Sequence, residues 1–424
     1  MTSTFLLEIG TEELPADFAR QALDQLQDRV GRDLLDSRLD HKSVQVLGTP
    51  RRLVVRVHGL ADRQPDLEED QKGPPIAQAF KDGVPGPAAI GFAKRCGVDP
   101  SQLEVRDTPK GECLFASVRT EGQNSVDLLQ GLIPAWINGL QGRRFMRWGT
   151  GSQRFSRPIR WLLALKGVDL IPVEIPGADP PVRSDRFSRG HRLHGDQPLS
   201  IDTAEAYDDT LATAGVIVDR QQRAALIRSQ LDASADQLNG LPDCPESLFE
   251  ELVDLVESPR LLQGSIAERF LSLPPEVIIT VMQAHQRYVP LKVPEVTPDP
   301  LQLEATGVLQ RDFLLVGNGL EAADALITRG NERVLAARLA DAEFFLSVDR
   351  RQPSSVRREA LDRVTFAEGL GSLLDRCQRI ERTARQLVDQ LNLDARQGEA
   401  AIRAAHFCKH DLVSQMVGEF PELQ

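Results

Sequence analysis

The sequence predicts an α+β fold, in which a mixed α/β N-terminal body over residues 1–349 precedes an all-helical region over residues 350–424. Two observations predict the body: short apolar runs of strand length alternate with longer runs whose apolar residues recur every three or four positions. A third predicts the second region, because the sequence from Ser354 onward has helical spacing throughout. We place the boundary near Asp349.

The N-terminal segment predicts a strand, a helix and a hairpin. Residues 5–9 form a short apolar run, and the apolar runs at 44–47 and 53–57 flank a Gly-Thr-Pro turn, as paired strands do. Pro15 suits the first turn of a helix. The apolar residues that follow it at helical spacing are Phe18, Ala22, Leu26, Val30 and Leu34.

The next part of the body continues this alternation. A polar, acidic stretch at 62–71 leads to a second hairpin within 103–118, and then to a helix at 125–138. Apolar runs at 161–165 and 171–175 follow, and they alternate with loops that are rich in proline and glycine.

The remainder of the body is more helical. Residues 202–238 are mostly helical in pattern, 311–316 predict a strand, and 322–346 predict a long helix. One face of that helix carries Val334, Leu335, Leu339, Ala342 and Phe345. A surface loop is predicted by Pro290, Pro294, Pro298 and Pro300.

The chain is acidic overall, but its arginines are concentrated in one segment. Its 424 residues carry 50 Lys and Arg against 62 Asp and Glu, a formal charge of −12. Residues 141–194, however, hold ten arginines and one lysine against four acids. Guanidinium groups bind planar anions through two parallel hydrogen bonds, so this segment predicts a local docking face for phosphates or carboxylates.

Composition also excludes several classes of protein. Residues 1–4 lack the features of a secretory signal, and no apolar run approaches the roughly 20 residues of a membrane span. The five cysteines are far apart, without a C-x-x-C pair, which argues against a disulfide framework and a structural zinc site. We therefore expect a reduced, cytoplasmic protein with no membrane partner.

Two glycine motifs resemble nucleotide loops only in part. Residues 149–154 (GTGSQR) match a phosphate loop superficially, and a flexible turn between basic segments is the better interpretation. Residues 317–319 (GNG) follow an apolar run, but Ala322 stands where a dinucleotide fingerprint has its third glycine. A simple turn from strand to helix explains that motif.

Three further motifs leave alternatives open. His406, His410 and Asp411 form the pattern H-x-x-x-H-D. On a single helix, this spacing would place both imidazoles on one face, as part of a metal site. The alternative, which we favour, is that they are surface or capping histidines. Residues 183–192 (RSDRFSRGHR) fit either a solvated loop or an RNA contact. Residues 283–288 (QAHQRY) could line a pocket or turn a helix into a strand. No catalytic nucleophile or paired-carboxylate motif stands out.

Several segments, in the same order, resemble the beta subunit of the two-subunit bacterial glycyl-tRNA synthetase. The resemblance covers essentially the whole chain, and the number of collinear motifs makes a chance similarity improbable. The matching segments are residues 5–15, 49–53, 72–74, 146–149, 155–158, 189–192, 330–335, 338–345, 409–412, 416–417 and 419–420.

This resemblance implies an α2β2 ligase that joins glycine to tRNA-Gly, with catalysis, ATP and Mg²⁺ at the alpha subunit and no cofactor in this chain. It also implies a B3/B4-like domain within 1–349 and an HD-like domain over 350–424, where the family's usual Lys-x-Asp-Leu has His410 in its middle. Family members are longer, so we expect an incomplete HD-like domain and no anticodon-binding domain.

From the arginine segment, five residues are our candidates for contacts with RNA or other anions, although a partner protein competes for them. They are Arg147, Arg157, Arg186, Arg189 and Arg192. We predict no catalytic residue and no metal ligand in this chain. The alternative function is a hydrolase, either an HD-type metal-dependent phosphohydrolase or an editing-type enzyme in the B3/B4-like body.

Overall fold

The protein forms two compact units, residues 1–220 and 221–424. The structure, a computed structural model, describes residues 2–81, 84–109, 111–195, 197–294, 296 and 307–424. It is a mixed α/β fold with several sheets. The division expected near Asp349 stays a prediction; the long helix there ends at Arg350.

The first unit is built around antiparallel strands. Its helices are α1 (Ala16–Asp36), α2 (Ile76–Ala79), α3 (Pro87–Cys96), α4 (Ser125–Gly139) and α5 (Tyr207–Thr213). Its strands are β1 (Thr2–Thr11), β2 (Ser43–Thr49), β3 (Arg52–Ala61), β4 (Leu67–Pro75), β5 (Phe80–Lys81), β6 (Val84–Pro85), β7 (Glu104–Thr108), β8 (Gly111–Thr120), β9 (Met146–Arg147), β10 (Arg154–Phe155), β11 (Ile159–Lys166), β12 (Asp169–Leu170), β13 (Ser184–Asp185), β14 (Phe187–Arg189) and β15 (Pro198–Ser200).

The central sheet of this unit has the order β12-β11-β1-β3-β2, and β13 pairs with β11. Successive side chains of β1 point to opposite faces of the sheet, and both faces are buried. Phe5, Leu7 and Ile9 pack against α1 and α4, while Leu6 packs against Tyr207 and its neighbours on the other face. The predicted first strand, the helix after Pro15, the β2–β3 hairpin and α4 are confirmed.

A smaller sheet of order β4-β8-β7 carries α2 and α3. It confirms the second predicted hairpin, now β7 and β8. The acidic stretch at 62–71 had no strand signal, yet β4 begins at Leu67. Its side chains are mostly exposed, so no apolar alternation marks this strand, and its pairing with β8 supplies the structure instead.

The second unit has an antiparallel sheet of order β16-β18-β19-β17 with helices on both faces. Its helices are α6 (Arg220–Leu238), α7 (Glu246–Asp254), α8 (Pro275–Thr280), α9 (Asp324–Arg350), α10 (Ser354–Ala360), α11 (Leu373–Gln390), α12 (Ala395–Phe407) and α13 (Gln415–Glu419). Its strands are β16 (Leu241–Pro242), β17 (Arg260–Ser265), β18 (Val289–Lys292), β19 (Leu309–Gly317), β20 (Thr365–Ala367) and β21 (Gly371–Ser372).

The prediction of an all-helical region beyond Asp349 is wrong in one place, because β20 and β21 form a hairpin. This hairpin is too short to show strand periodicity, and it leads directly into α11, whose Ser372 cap satisfies free backbone groups at the helix start. Leu335, Leu339 and Ala342 of α9 are buried as predicted, but Val334 is exposed.

The predicted proline loop is wrong at its first residue. Pro290 lies buried in β18, opposite Phe313 of β19, because this strand is central in its sheet. Pro298 and Pro300 lie outside the described residues. Among the helices that the structure describes, none combines the length and the apolar character needed to cross a membrane.

Candidate nucleic-acid interface

The arginine-rich segment lies entirely in the first unit, where it runs from the end of α4 through β9 to β14 and the turn that follows. Its first part is anchored by aromatic side chains. The rings of Phe145 and Phe155 pack against Phe18 of α1, each at a centroid distance of 5.6 Å. These apolar anchors alternate in sequence with arginines, so the guanidinium groups are left at the surface.

Five arginines of this part form what we call the acid-free arginine surface. All five are exposed. Within the described residues, no carboxylate oxygen lies within 4.0 Å of a guanidinium nitrogen in this group. A recess of about 300 Å³ is lined by three of them together with Asp17, whose carboxylate accepts from the backbone N–H of Phe18. The members of the surface are Arg143, Arg144, Arg147, Arg154 and Arg157.

Two of these arginines face each other across a hairpin. Arg147 of β9 is directly opposite Arg154 of β10. Like charges at opposing positions of an antiparallel pair destabilise it, unless an anion lies between or near them. This arrangement therefore indicates a surface that is suited to an anionic partner.

Three of the later arginines of the segment are paired with carboxylates. Arg160 and Arg192 both pair with Glu12, at 3.3 Å and 2.8 Å. Arg192 also reaches Glu13 at 3.5 Å. Arg183 pairs with Glu174 at 2.8 Å. We call Arg160, Arg183 and Arg192 the paired arginines.

The glycine motif at 149–154 is the connection between β9 and β10, as the turn interpretation predicted. Its backbone N–H groups at Ser152 and Gln153 donate to the carbonyl of Gly177, at 2.8 Å and 3.0 Å. A Cβ on Gly149 would lie 1.8 Å from the carbonyl oxygen of Asp179. The loop is thus packed against the 177–179 segment, and these two donors are not available to a phosphate.

Beneath the later part of the segment lies a buried charge network that sequence reasoning missed. Glu8 of β1 and Arg52 of β3 are both fully buried, with Nη1 of Arg52 3.4 Å from the Glu8 carboxylate. Trp161 donates its indole N–H to Glu8 at 2.7 Å, and the Ser188 hydroxyl donates to it at 2.7 Å. Burial and the charge of Glu8 hold the pKa of Tyr207 well above its usual value.

The signal for this network was present in the sequence. Glu8 interrupts an apolar strand, and a buried carboxylate requires a buried cation or several hydrogen-bond donors. The strand register supplies them: Gly10, two residues along, is opposite both Arg52 and Trp161. A Cβ on Gly10 would lie 1.9 Å from the Trp161 ring, so only glycine admits the indole there.

The five candidate residues fall into different environments. Arg147 and Arg157 belong to the acid-free arginine surface, whereas Arg192 is a paired arginine. Arg186 is half-buried and donates to the carbonyl of Val168 at 3.3 Å. Arg189 is half-buried too, with its guanidinium carbon 5.8 Å from the centre of the Trp161 ring. The structure therefore does not bring the five together as one surface of uniform character.

The histidine motif is not arranged as a single helix would arrange it. α12 ends at Phe407, and Lys409 has a left-handed backbone, so His406 and His410 do not share a helical face. His406 contacts Glu381 at 3.0 Å, and His410 contacts the carbonyl of Phe407. Within the described ranges, no group of three or more His, Cys, Asp or Glu side chains is placed to hold a metal ion.

Two other motifs have structural explanations. Residues 317–319 turn β19 into α9, and the side-chain oxygen of Asn318 accepts the backbone N–H groups of Glu257 and Ser258 at 3.0 Å each. The sheet is antiparallel, unlike that of a dinucleotide fold.

Residues 281–286 form a π-helical turn. Arg287 follows in a left-handed conformation and leads into β18, which bears out the helix-to-strand interpretation.

Comparison with known proteins agrees with the resemblance in the sequence. The family model described as "Glycyl-tRNA synthetase beta subunit" matches residues 5–424. The glycine--tRNA ligase beta subunits of Acaryochloris marina and Synechocystis are both 44% identical to this chain, over 422 and 421 residues respectively. That of Moorella thermoacetica is 41% identical over 427 residues.

These alignments cover 99–100% of this chain but only 57–59% of each relative, so the chain spans somewhat over half of their length. The match extends through the strands that hold Glu8 and Arg52 and through the whole arginine segment. The chain belongs to the glycyl-tRNA synthetase beta subunit family.

Proposed function

We propose that the acid-free arginine surface docks the phosphate backbone of a tRNA. One observation carries this proposal: five exposed arginines without acidic partners, two of them opposed across a hairpin, lie together in sequence on a chain of formal charge −12. Arginine forms short, charge-assisted hydrogen bonds with phosphates, and such contacts position a protein on a nucleic acid. The net negative charge elsewhere restricts the attraction to this surface.

The family supports a wider proposal for the complete assembly. Relatives are described as beta subunits of glycine--tRNA ligase, and a beta subunit acts beside another chain. We propose that this chain supports ATP-dependent attachment of glycine to tRNA-Gly in the cytoplasm. It binds tRNA and the alpha subunit of an α2β2 tetramer, while ATP and Mg²⁺ act at the alpha subunit. The B3/B4-like and HD-like domain assignments belong to the same proposal.

The five candidate residues enter this proposal with different weights. Arg147 and Arg157 are the leading contacts, because no carboxylate of the described chain competes for them. Arg186 and Arg189 are half-buried and make contacts with the protein itself. Arg192 must give up Glu12 and Glu13 before it binds a phosphate, which reduces its net contribution.

The test is a salt series of tRNA-Gly binding, with this chain mixed with the alpha subunit. Replacement of Arg143, Arg147 and Arg157 together by Ala removes up to three phosphate contacts. We expect the slope of log affinity against log salt to become shallower by about 2, since each contact contributes roughly 0.7–0.9. Affinity should fall most at low salt.

Arg183→Ala is the matched control, because this exposed arginine of the same segment is already paired with Glu174. Its slope should match that of the unchanged chain. Arg189→Ala with Arg192→Ala tests two of the three remaining candidates and should have a smaller effect than the triple variant. An affinity that does not respond to salt, or a triple variant with the original slope, would refute the docking surface.

A further inference from the structure

Two adjoining recesses of the first unit share three lining residues: Arg160, Trp161 and Arg189. The first, of about 480 Å³, is lined additionally by Arg51, Arg192 and Glu12. The second, of about 430 Å³, has mostly apolar walls. Each volume is in the range of small-ligand sites, roughly 300–1,000 Å³. They differ from the acid-free arginine surface, whose own recess is lined by other residues.

The first recess is suited to an anion. Four arginines line it against one glutamate. Of these arginines, Arg51 is buried, with only 7% of its surface exposed, and its Nη1 is 3.5 Å from the carbonyl of Gly190. A guanidinium that the fold holds in place loses little conformational entropy when it binds a phosphate.

The buried network holds this recess in shape. Glu8 orients Trp161 through the indole N–H, and Arg52 donates to the backbone carbonyl of Arg189 at 2.9 Å. The guanidinium carbons of Arg51, Arg52 and Arg189 lie 5.6, 5.7 and 5.8 Å from the centre of the Trp161 ring. Charged groups that are fixed by a buried network form a preorganised site rather than a chance concentration of charge.

The second recess is suited to a planar apolar group. Its walls include the flat side chains of Trp148 and Phe187 and the rings of Pro180 and Pro181. Phe187 is 41% exposed, so its ring is accessible to a ligand in this recess. Exposed aromatic rings are the platforms on which unpaired bases stack. Asp185, which also lines this recess, carries a carboxylate that is a hydrogen-bond acceptor for a base edge.

We propose that the two recesses together bind one nucleoside 5′-phosphate, with its phosphate in the arginine-lined recess and its base against Trp148 and Phe187. The nucleotide is either free or an unpaired residue of an RNA, and only the second source rests on the proposed tRNA docking. Binding of this nucleotide forms and breaks no covalent bond.

The experiment is a titration of the full chain with adenosine 5′-monophosphate, followed by tryptophan fluorescence and calorimetry. The chain has three tryptophans. Trp136 is fully buried, donates to Asp33 and lines neither recess, so a change in fluorescence reports Trp148 and Trp161. We expect saturable binding at millimolar concentrations or below, and at least tenfold weaker binding of adenosine, which lacks the phosphate.

Two exposed lining residues provide the variants. Arg160→Ala and Phe187→Ala should each weaken the binding of the mononucleotide about tenfold, by loss of a phosphate contact and of base stacking respectively. Arg106→Ala, which removes an exposed ion pair with Asp70 in the smaller sheet, is the matched control and should leave the affinity unchanged. Circular dichroism of each variant confirms that the fold is retained.

Competition with tRNA then identifies the source of the nucleotide. Displacement of the mononucleotide by tRNA assigns the site to an unpaired RNA residue, and independent binding of the two assigns it to a free nucleotide. Absence of saturable binding, or binding that survives both substitutions, would overturn the proposal. The titration contains no RNA, so its failure is distinct from failure of the acid-free arginine surface.

Discussion

The acid-free arginine surface and the paired arginines come from one continuous segment, yet they differ in what surrounds them. Arg143, Arg144, Arg147, Arg154 and Arg157 are exposed, without acidic partners among the described residues. Arg160, Arg183 and Arg192 pair with Glu12, Glu13 and Glu174. Equal density of positive charge along a sequence therefore does not mean equal availability to a ligand. The first group is free to bind an anion, whereas the second must first release a carboxylate.

The largest expected effect is on the network beneath the later arginines. Arg52→Ala leaves the Glu8 carboxylate buried without its cation and frees the carbonyl of Arg189. We expect the free energy of unfolding to fall by about 3–5 kcal/mol, as for other buried ion pairs that lose one partner. Denaturant unfolding measures it. Arg106→Ala, at an exposed and solvent-screened pair, should cost much less. Equal losses in the two variants would mean that the buried network contributes little.

The next effect concerns the position of Trp161. Gly10→Ala places a Cβ 1.9 Å from the indole and forces the ring to move. We expect a loss of roughly 1–3 kcal/mol in unfolding free energy, as in other overpacked sites, with a shift in tryptophan fluorescence. Gly31→Ala in α1 is the control, because no atom lies within 4 Å of the added Cβ. It should be stabilising by about 0.5–1 kcal/mol, since alanine favours helix.

A smaller effect should come from removing one acidic partner of the paired arginines. Glu12→Gln removes the carboxylate shared by Arg160 and Arg192. Because the pairs are partly exposed, unfolding free energy should change by less than about 1 kcal/mol. Affinity for tRNA at low salt should rise about twofold to tenfold, which fluorescence anisotropy measures, as the local positive charge increases. Asp66→Asn, a substitution outside the segment, is the control and should leave the affinity for tRNA unchanged. If the Glu12→Gln variant also binds tRNA with unchanged affinity, Arg160 and Arg192 do not face RNA.

The smallest effect involves Lys166, the one lysine of the segment. Its ammonium hydrogen-bonds with Asp62 and holds the pKa of that carboxyl below 3.8. A carboxyl with a lowered folded pKa stabilises the fold above the unfolded pKa, and the benefit is lost as pH falls through the folded pKa. Asp62→Asn should therefore flatten the stability curve below about pH 4 and cost less than about 1 kcal/mol at pH 7. Acid titrations of unfolding, compared between the two proteins, check this.

Much of the fold could be predicted from local pattern, and the exceptions have physical reasons. Helix α1 was predictable because its buried residues recur with helical spacing. Strand β4 was not, because it exposes most of its side chains and depends on β8 for its hydrogen bonds. The end of α12 at Phe407 separates His406 from His410, although the sequence continues in a helical pattern.

The candidate site was predictable in composition but not in arrangement. The density of arginines in residues 141–194 is visible in the sequence, and so are Arg147 and Arg157 as candidates. Neither the opposition of Arg147 to Arg154 nor the recesses around Trp161 could be read from spacing, because both depend on strand register.

The sequence by itself determined the family, the acidic balance and the single arginine-rich segment, since these are properties of composition and local order. Only the tertiary structure decided which arginines are neutralised. Arg192 and Glu12 are 180 positions apart in the chain, yet their charged atoms lie 2.8 Å apart. Electrostatic attraction depends on distance in space and is screened within about 10 Å in ordinary salt, so folding alone selects the partners.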